Sequence, residues 1–180
     1  LLTSYFKATS TVKPPFKLVP FLLLSAALIP AVLAFNISGN RWESGSAIFH
    51  IGMNGISPSG ENFGTAFADV MSAWSTNTAF SFSTASGSID PCSGYSRNNN
   101  TGGSGFPAGN GNNVNSADFK SNVCGNDYGA SVLAITLTLT ESGELGFSNI
   151  VESDILFNSN FSWDTYSGSP RSAIDFRRVA

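Results

Sequence analysis

The clearest pattern in the chain is the alternating run Leu133-Ala134-Ile135-Thr136-Leu137-Thr138-Leu139-Thr140. Its odd-numbered positions are aliphatic, whereas its even-numbered positions carry alanine or threonine. This two-residue period is typical of a β-strand that buries one face. A second alternating run lies at 47–53, and shorter strands are predicted at 80–82 and 152–157. The domain is therefore predicted to be built around a β-sheet.

Two helices are predicted to pack against this sheet. The first begins at Ser57-Pro58, because serine caps a helix well and proline fits its first position. It extends over about 16 residues with one apolar stripe, formed by Phe63, Phe67, Val70, Met71 and Trp74. The second begins at Ser169-Pro170 and stops in mid-pattern at Ala180, so the domain is predicted to be incomplete there. Two helices against one mixed sheet indicate an α+β or α/β fold.

The segment 1–34 is predicted to be an N-terminal extension with a signal peptide. Three lysines precede an apolar run at 18–29, and Val32-Leu33-Ala34 offers the small residues that a signal peptidase reads. A membrane anchor is the alternative, because the run could stretch to the roughly 17–20 residues that a span requires. We favour cleavage after Ala34. This predicts a secreted protein with no stable membrane insertion, the periplasm or cell surface being alternatives.

The remaining segment, 35–180, is acidic. Removal of Lys7, Lys13 and Lys17 leaves six basic residues against twelve acidic ones. A nucleic-acid partner would require a basic surface, so none is predicted.

The two cysteines, Cys92 and Cys124, are predicted to form a disulfide in an oxidising compartment. A metal site or a catalytic thiol lacks support, since the chain has no C-x-x-C spacing and a single histidine. The stretch 91–125 is rich in Gly, Asn and Ser. It is predicted to be a long surface loop that the disulfide closes at its neck.

No residue pattern on its own identifies a reaction. The single histidine, His50, is interpreted as an exposed or hydrogen-bonded strand residue rather than as the base of a Ser-His-Asp triad. The acids that could form a glycosidase pair are interpreted as surface charges: Glu141, Glu144, Glu152, Asp154 and Asp164. The polar loop gives calcium only weak support, because it lacks the D-x-[DN]-x-[DN]-G spacing.

The segment from Glu152 to Trp163 resembles the last strand of the matrixin-like zinc metalloproteases of the metzincin group. In that family a D-I-x-F-[ND] strand and a nearby tryptophan precede the active-site helix. The corresponding strand here is Asp154-Ile155-Leu156-Phe157-Asn158. Similar features at the front are Trp42, Met71-Ser72-Ala73-Trp74 at a helix end, and Phe80-Ser81-Phe82. The similarity extends over about 41–180.

The resemblance implies the N-terminal part of a catalytic domain, with a mixed, mostly parallel twisted sheet, two helices and an incomplete C-terminus. In the family the next helix continues into H-E-x-x-H-x-x-G-x-x-H, whose histidines bind zinc while the glutamate acts as general base. The motif does not occur up to Ala180. No catalytic residue or metal ligand is therefore assigned to this chain. The fragment alone is predicted to be inactive, with zinc bound in a full-length parent.

The resemblance also implies a protein or peptide substrate, bound antiparallel along an edge strand. The matching residues are Ala134, Ile135 and Thr136, which would line the cleft. Leu156 stands where matrix metalloproteinases have a histidine for a structural zinc, so that second zinc is predicted to be missing. Asn158 stands where the family often has an aspartate, which weakens the case for calcium.

Two functions follow from these observations. The first is a secreted zinc metalloendopeptidase, of which this chain is the N-terminal fragment. The alternative is a secreted non-enzymatic binding module, such as an adhesin or a carbohydrate-binding domain that uses the Asn/Gly-rich loop.

Overall fold

The computed structural model describes residues 39–85, 87–99, 106–143 and 146–180. The predicted signal segment 1–34 lies outside them. In chain order the elements are β1 (Asn40–Arg41), β2 (Ser46–Ile51), α1 (Phe63–Asn77), β3 (Ser81–Ala85), β4 (Tyr95–Ser96), β5 (Ala108–Gly109), β6 (Asn115–Lys120), β7 (Ala134–Ser142), β8 (Ser148–Asn158), β9 (Trp163–Asp164), β10 (Ile174–Asp175) and a 3-10 turn (Phe176–Arg178).

A six-stranded sheet organises the described residues. Strands β3, β2, β6 and β8 lie side by side in this order, and each neighbouring pair is parallel. The short β1 pairs parallel with the start of β8. Strand β7 pairs antiparallel with β8 and has no second strand partner in the described part of the chain. The prediction of a mixed, mostly parallel sheet is confirmed, with one α-helix in these residues.

Strand β6 corrects the prediction that 91–125 is wholly a surface loop. It lies inside the sheet, between β2 and β8. The strand has no strong sequence signal because its apolar face carries only Ala117 and Phe119. On its other face, Ser116 N and Oγ donate hydrogen bonds to Asp154 Oδ1 at 3.0 and 2.6 Å. Hydrogen bonding thus allows polar residues in an interior strand.

The predicted disulfide between Cys92 and Cys124 is confirmed, with the two Cα atoms 5.1 Å apart. It joins the segment before β4 to the segment after β6. Cys124 belongs to a small second core with Val123, Leu137 and Leu156. This core lies on the sheet face opposite α1, because neighbouring residues of a strand point to opposite faces.

Helix α1 begins at Phe63 and not at Ser57-Pro58. Its N-cap is Asn62, whose side chain accepts a hydrogen bond from Thr65 N at 3.1 Å. The Ser57 hydroxyl is instead buried, 2.7 Å from Thr165 Oγ1. The predicted cap was wrong: Ser57 closes a turn before the helix, and its hydroxyl also accepts a hydrogen bond from Glu61 N at 3.2 Å.

The apolar stripe of α1 packs on the sheet along part of its length. Phe63, Phe67 and Met71 are buried in the main core, as predicted. Val70 is half-buried, whereas Trp74 is 56% exposed. The last turns of the helix therefore present an apolar side chain to solvent.

The predicted second helix does not begin at Ser169-Pro170. Strand β10 and the 3-10 turn occupy this segment. Asp175 caps the turn, because its carboxylate accepts a hydrogen bond from Arg177 N at 3.2 Å. Ala180 N then donates to Phe176 O at 3.0 Å, which is the four-residue spacing of an α-helix. Helical geometry thus starts after the cap at Asp175.

An aromatic cluster joins α1, the sheet and the C-terminal turn. Phe176 is fully buried, and four ring centroids lie 4.8 to 6.0 Å from its own: Phe63, Phe119, Phe157 and Trp163. The indole Nε1 of Trp163 donates to Asn158 O at 2.8 Å. The only polar atom of that side chain is therefore satisfied inside the core.

Candidate functional site

The free edge of β7 is the first candidate site. Asn158 N donates to the carbonyl of Leu133 at 2.8 Å, so the backbone of Leu133 faces β8. Main-chain groups alternate between the two sides of an antiparallel strand, so those of Ala134, Thr136 and Thr138 face away from β8. The edge thus presents N–H donors and C=O acceptors that another extended chain could bind.

The three predicted substrate-binding residues lie in β7, but they occupy different environments. Ala134 is half-buried against the main core, and Ile135 is half-buried against the second core. Thr136 is exposed. By the same alternation, Ala134 and Thr136 present backbone groups at the free edge, whereas those of Ile135 face β8. Substrate binding by these residues stays a prediction.

A groove of about 350 Å³ lies beside this edge. One wall is Thr136–Leu139, and the other comprises Tyr95, Phe106, Pro107 and Gly109. The ring of Phe106 is 66% exposed. The sequence did not predict this second wall, because its residues are scattered through a polar stretch that has no regular spacing of apolar residues. The only available signal was an aromatic residue next to proline within that stretch.

A pair of carboxyl groups is buried on the same sheet face as the second core. Glu152 and Asp154 are 0% and 1% exposed, so the prediction that they are surface charges was wrong. They are two residues apart on β8, so both point to the face that also carries Leu156. Glu152 Oε2 accepts hydrogen bonds from the backbone N–H groups of Asn112, at 2.8 Å, and Asn113. The shared face with a buried leucine was the sequence signal that could have identified them.

Burial changes the protonation of Asp154. Burial raises the pKa of Asp154 to about 8, and the neighbouring Glu152 side chain adds to this effect. The hydrogen bonds from Ser116 oppose it. Burial, together with the charges of both acids, also raises the pKa of the Tyr95 phenol. Burial and the neighbouring acid thus favour the protonated form of Asp154.

Asp164, another predicted surface charge, is also buried. Its carboxylate accepts hydrogen bonds from Ser59 N at 2.8 Å and Ser59 Oγ at 3.0 Å, and Arg171 Nη1 lies 3.5 Å away. Burial opposes ionisation, but the Ser59 hydrogen bonds outweigh it and hold the pKa of Asp164 below its ordinary value. This carboxylate fixes the turn before α1 to β9.

His50 lies in β2, where its Nδ1 atom is 3.2 Å from the carbonyl oxygen of Gly87. The interpretation as a hydrogen-bonded strand residue is confirmed. It also lines an open groove of about 620 Å³ together with Trp42, Asn113 and Asn115.

Metal-binding residues were tested in the described ranges. There, no three His, Cys, Asp or Glu side chains are grouped closely enough to hold a metal ion. Leu156, which the sequence resemblance would align with a structural-zinc histidine, is fully buried in the second core. The described residues therefore do not fit a zinc ion. Residues 100–105 of the loop considered for calcium lie outside them.

Comparisons with protein-family models, with curated proteins and with solved structures each found no match. Within the described residues, no helix is long and apolar enough to cross a membrane. The apolar run 18–29 lies outside those residues.

Proposed function

We propose that the chain is the N-terminal part of the catalytic domain of a secreted zinc metalloendopeptidase, and that it binds an extended peptide along β7. The free antiparallel edge of β7, with the groove beside it, is the observation that carries this proposal. A peptide would run antiparallel to β7 and bond to the main chain of Ala134, Thr136 and Thr138. Phe106 would contact an apolar side chain of that peptide.

The C-terminal turn supports the placement of the catalytic residues after Ala180. Phe176 is anchored in the aromatic cluster, and Arg177 forms ion pairs with Glu61 and, at 3.1 Å, with Asp69. A helix that continues from Ala180 would therefore start from a fixed point on the domain. In the family that this chain resembles, the zinc-binding motif lies on the helix at this place.

In this proposal the chain binds and orients the substrate, and residues beyond it supply the chemistry. A bound zinc ion would polarise the scissile carbonyl and activate water. We expect no peptide-bond cleavage by the 180-residue chain alone.

Thr136→Pro is expected to weaken peptide binding about tenfold or more. Proline removes the outward N–H of Thr136 and blocks strand addition, but leaves the ladder to β8 intact because that N–H faces away. The measurement is an NMR titration with an extended heptapeptide of alternating Leu and Thr, which follows the amide signals of Ala134 and Thr138.

Thr136→Val is the matched control, because it alters the same side chain and retains the N–H group. It should bind the heptapeptide as the unaltered chain does. Equal affinity of Thr136→Pro and Thr136→Val would contradict binding at this edge. Binding of an oligosaccharide, with no response to the peptide, would instead favour the non-enzymatic module.

A further inference from the structure

The buried acids on β8 pose an electrostatic problem that the peptide site does not explain. Glu152 and Asp154 are both removed from solvent, and neither takes part in an ion pair within the described residues. Two ionised carboxylates in such a position repel each other, and each is costly to bury. The pair must therefore be partly neutralised.

One oxygen of each carboxyl group accepts hydrogen bonds from the chain. Glu152 Oε2 receives the backbone N–H groups of Asn112 and Asn113. Asp154 Oδ1 receives the N–H and hydroxyl of Ser116. Each acid therefore holds the segment that leads from β5 into β6 against β8.

The remaining polar atoms of the pair are unsatisfied. Glu152 Oε1, Asp154 Oδ2 and the Tyr95 hydroxyl are buried without a hydrogen-bond partner in the described part of the molecule. Buried polar atoms are rarely left unpaired, since each costs about 1–3 kcal/mol. A proton on Asp154 directed at Glu152, with the Tyr95 phenol as a second donor, would satisfy these atoms together.

We propose that Asp154 retains a proton directed at Glu152 and that these two side chains form a pH-dependent latch, which holds the loop 106–114 on the sheet and releases it when the proton is lost. Tyr95 belongs to the latch because β4 pairs with β5 in this loop. The acidic pair and the loop are in close contact. A side chain at Gly111, where φ is +66°, would collide with the Glu152 carboxylate.

The charged side chains of β2 and β6 on this sheet face already contact other partners. His50, Asp118 and Lys120 lie on the same sheet face, since their backbone positions alternate with the core-facing residues. Lys120 Nζ is 2.9 Å from Asp90 and 3.7 Å from Asp118, and His50 contacts a loop carbonyl. On the neighbouring β7 the facing residues are Leu137 and Leu139, which carry no charge. A proton is thus the neutralising species that the surroundings favour.

The latch would regulate the groove beside β7, and this consequence rests on the proposed function. Pro107 and Gly109 line the groove and lie in the loop that the pair holds, as does Phe106. Release of the loop would remove one wall of the groove. The protonation of Asp154 is measured without any peptide, so the two proposals can fail separately.

The sign of the pH dependence follows from linkage. Asp154 is protonated in the folded chain at pH values where an unfolded aspartate is already ionised. The fold is therefore most stable below the ordinary aspartate pKa, and this stability is lost progressively as pH rises towards the folded pKa. Across this window the unfolding equilibrium constant should rise about tenfold per pH unit because of this one group.

The test compares urea unfolding of the 180-residue chain between pH 5 and pH 8 with that of Asp154→Asn. Asparagine cannot titrate, so the unfolding constant of this variant should lack the rise of about tenfold per pH unit that Asp154 contributes. Glu141→Gln, an exposed acid on β7, is the control and should keep the original slope. Identical slopes for Asp154→Asn and the unaltered chain would overturn the proposal.

A second measurement needs no variant, in case Asp154→Asn fails to fold. The carboxyl carbon of Asp154 should show the NMR shift of a protonated acid at pH 6, and amide exchange at Asn112 and Asn113 should lose protection above about pH 8. An ionised Asp154 at pH 6 would overturn the latch. Stabilisation by millimolar calcium chloride would overturn it as well, since a cation would then neutralise the pair.

Discussion

Phe176→Ala is expected to lower the free energy of unfolding by about 3–5 kcal/mol. The side chain is fully buried and touches four aromatic rings from α1, β6, β8 and β9. Its removal leaves a cavity that rigid rings cannot easily fill, so the cavity cost adds to the lost burial. Urea denaturation followed by tryptophan fluorescence measures the change, because Trp163 lies in the same cluster.

Phe106→Ala is the matched control for this substitution. It makes the same chemical change at a ring that is 66% exposed, so stability should change by less than about 0.5 kcal/mol. A loss at Phe176 as small as that at Phe106 would show that the C-terminal turn is not anchored in the core. The proposed starting point of a following helix would then lose its structural support.

Removal of the disulfide by the double substitution Cys92→Ser and Cys124→Ser is expected to lower the free energy of unfolding by about 3–4 kcal/mol. The bond closes a segment with a sequence separation of 32, which restricts the unfolded chain. The second core beneath it is small, so few other apolar contacts hold this segment on the sheet.

The reduced form of the unaltered chain provides the control. Its stability in excess reductant should match that of the double variant, because both lack the same cross-link. A double variant as stable as the oxidised chain would contradict a structural role for the disulfide. It would also show that hydrogen bonds to Glu152 and Asp154 hold the loop without help.

Elements in which apolar residues recur at a regular spacing could be predicted from the sequence. Strand β7 was recognisable because aliphatic residues alternate with threonine. Strand β6 was not recognisable, because Ser116 is buried through hydrogen bonds that no local pattern reveals. Glu152 and Asp154 share a strand face with the buried Leu156, but the hydrogen bonds that allow their burial come from residues about 40 positions away.

Helix ends were predicted less well than the helix itself. Serine followed by proline is a good local start signal, yet Ser57 bonds to Thr165, more than a hundred residues away. At the second such pair, Ser169-Pro170, the chain forms β10 against β9 instead. In both cases a partner distant in sequence decides the conformation, and a local signal contains no information about it.

The most direct test of the proposed metalloendopeptidase is to read the gene beyond the codon for Ala180. We predict that H-E-x-x-H-x-x-G-x-x-H follows within a few residues. A stop codon or an unrelated sequence at that place would contradict the metalloendopeptidase proposal.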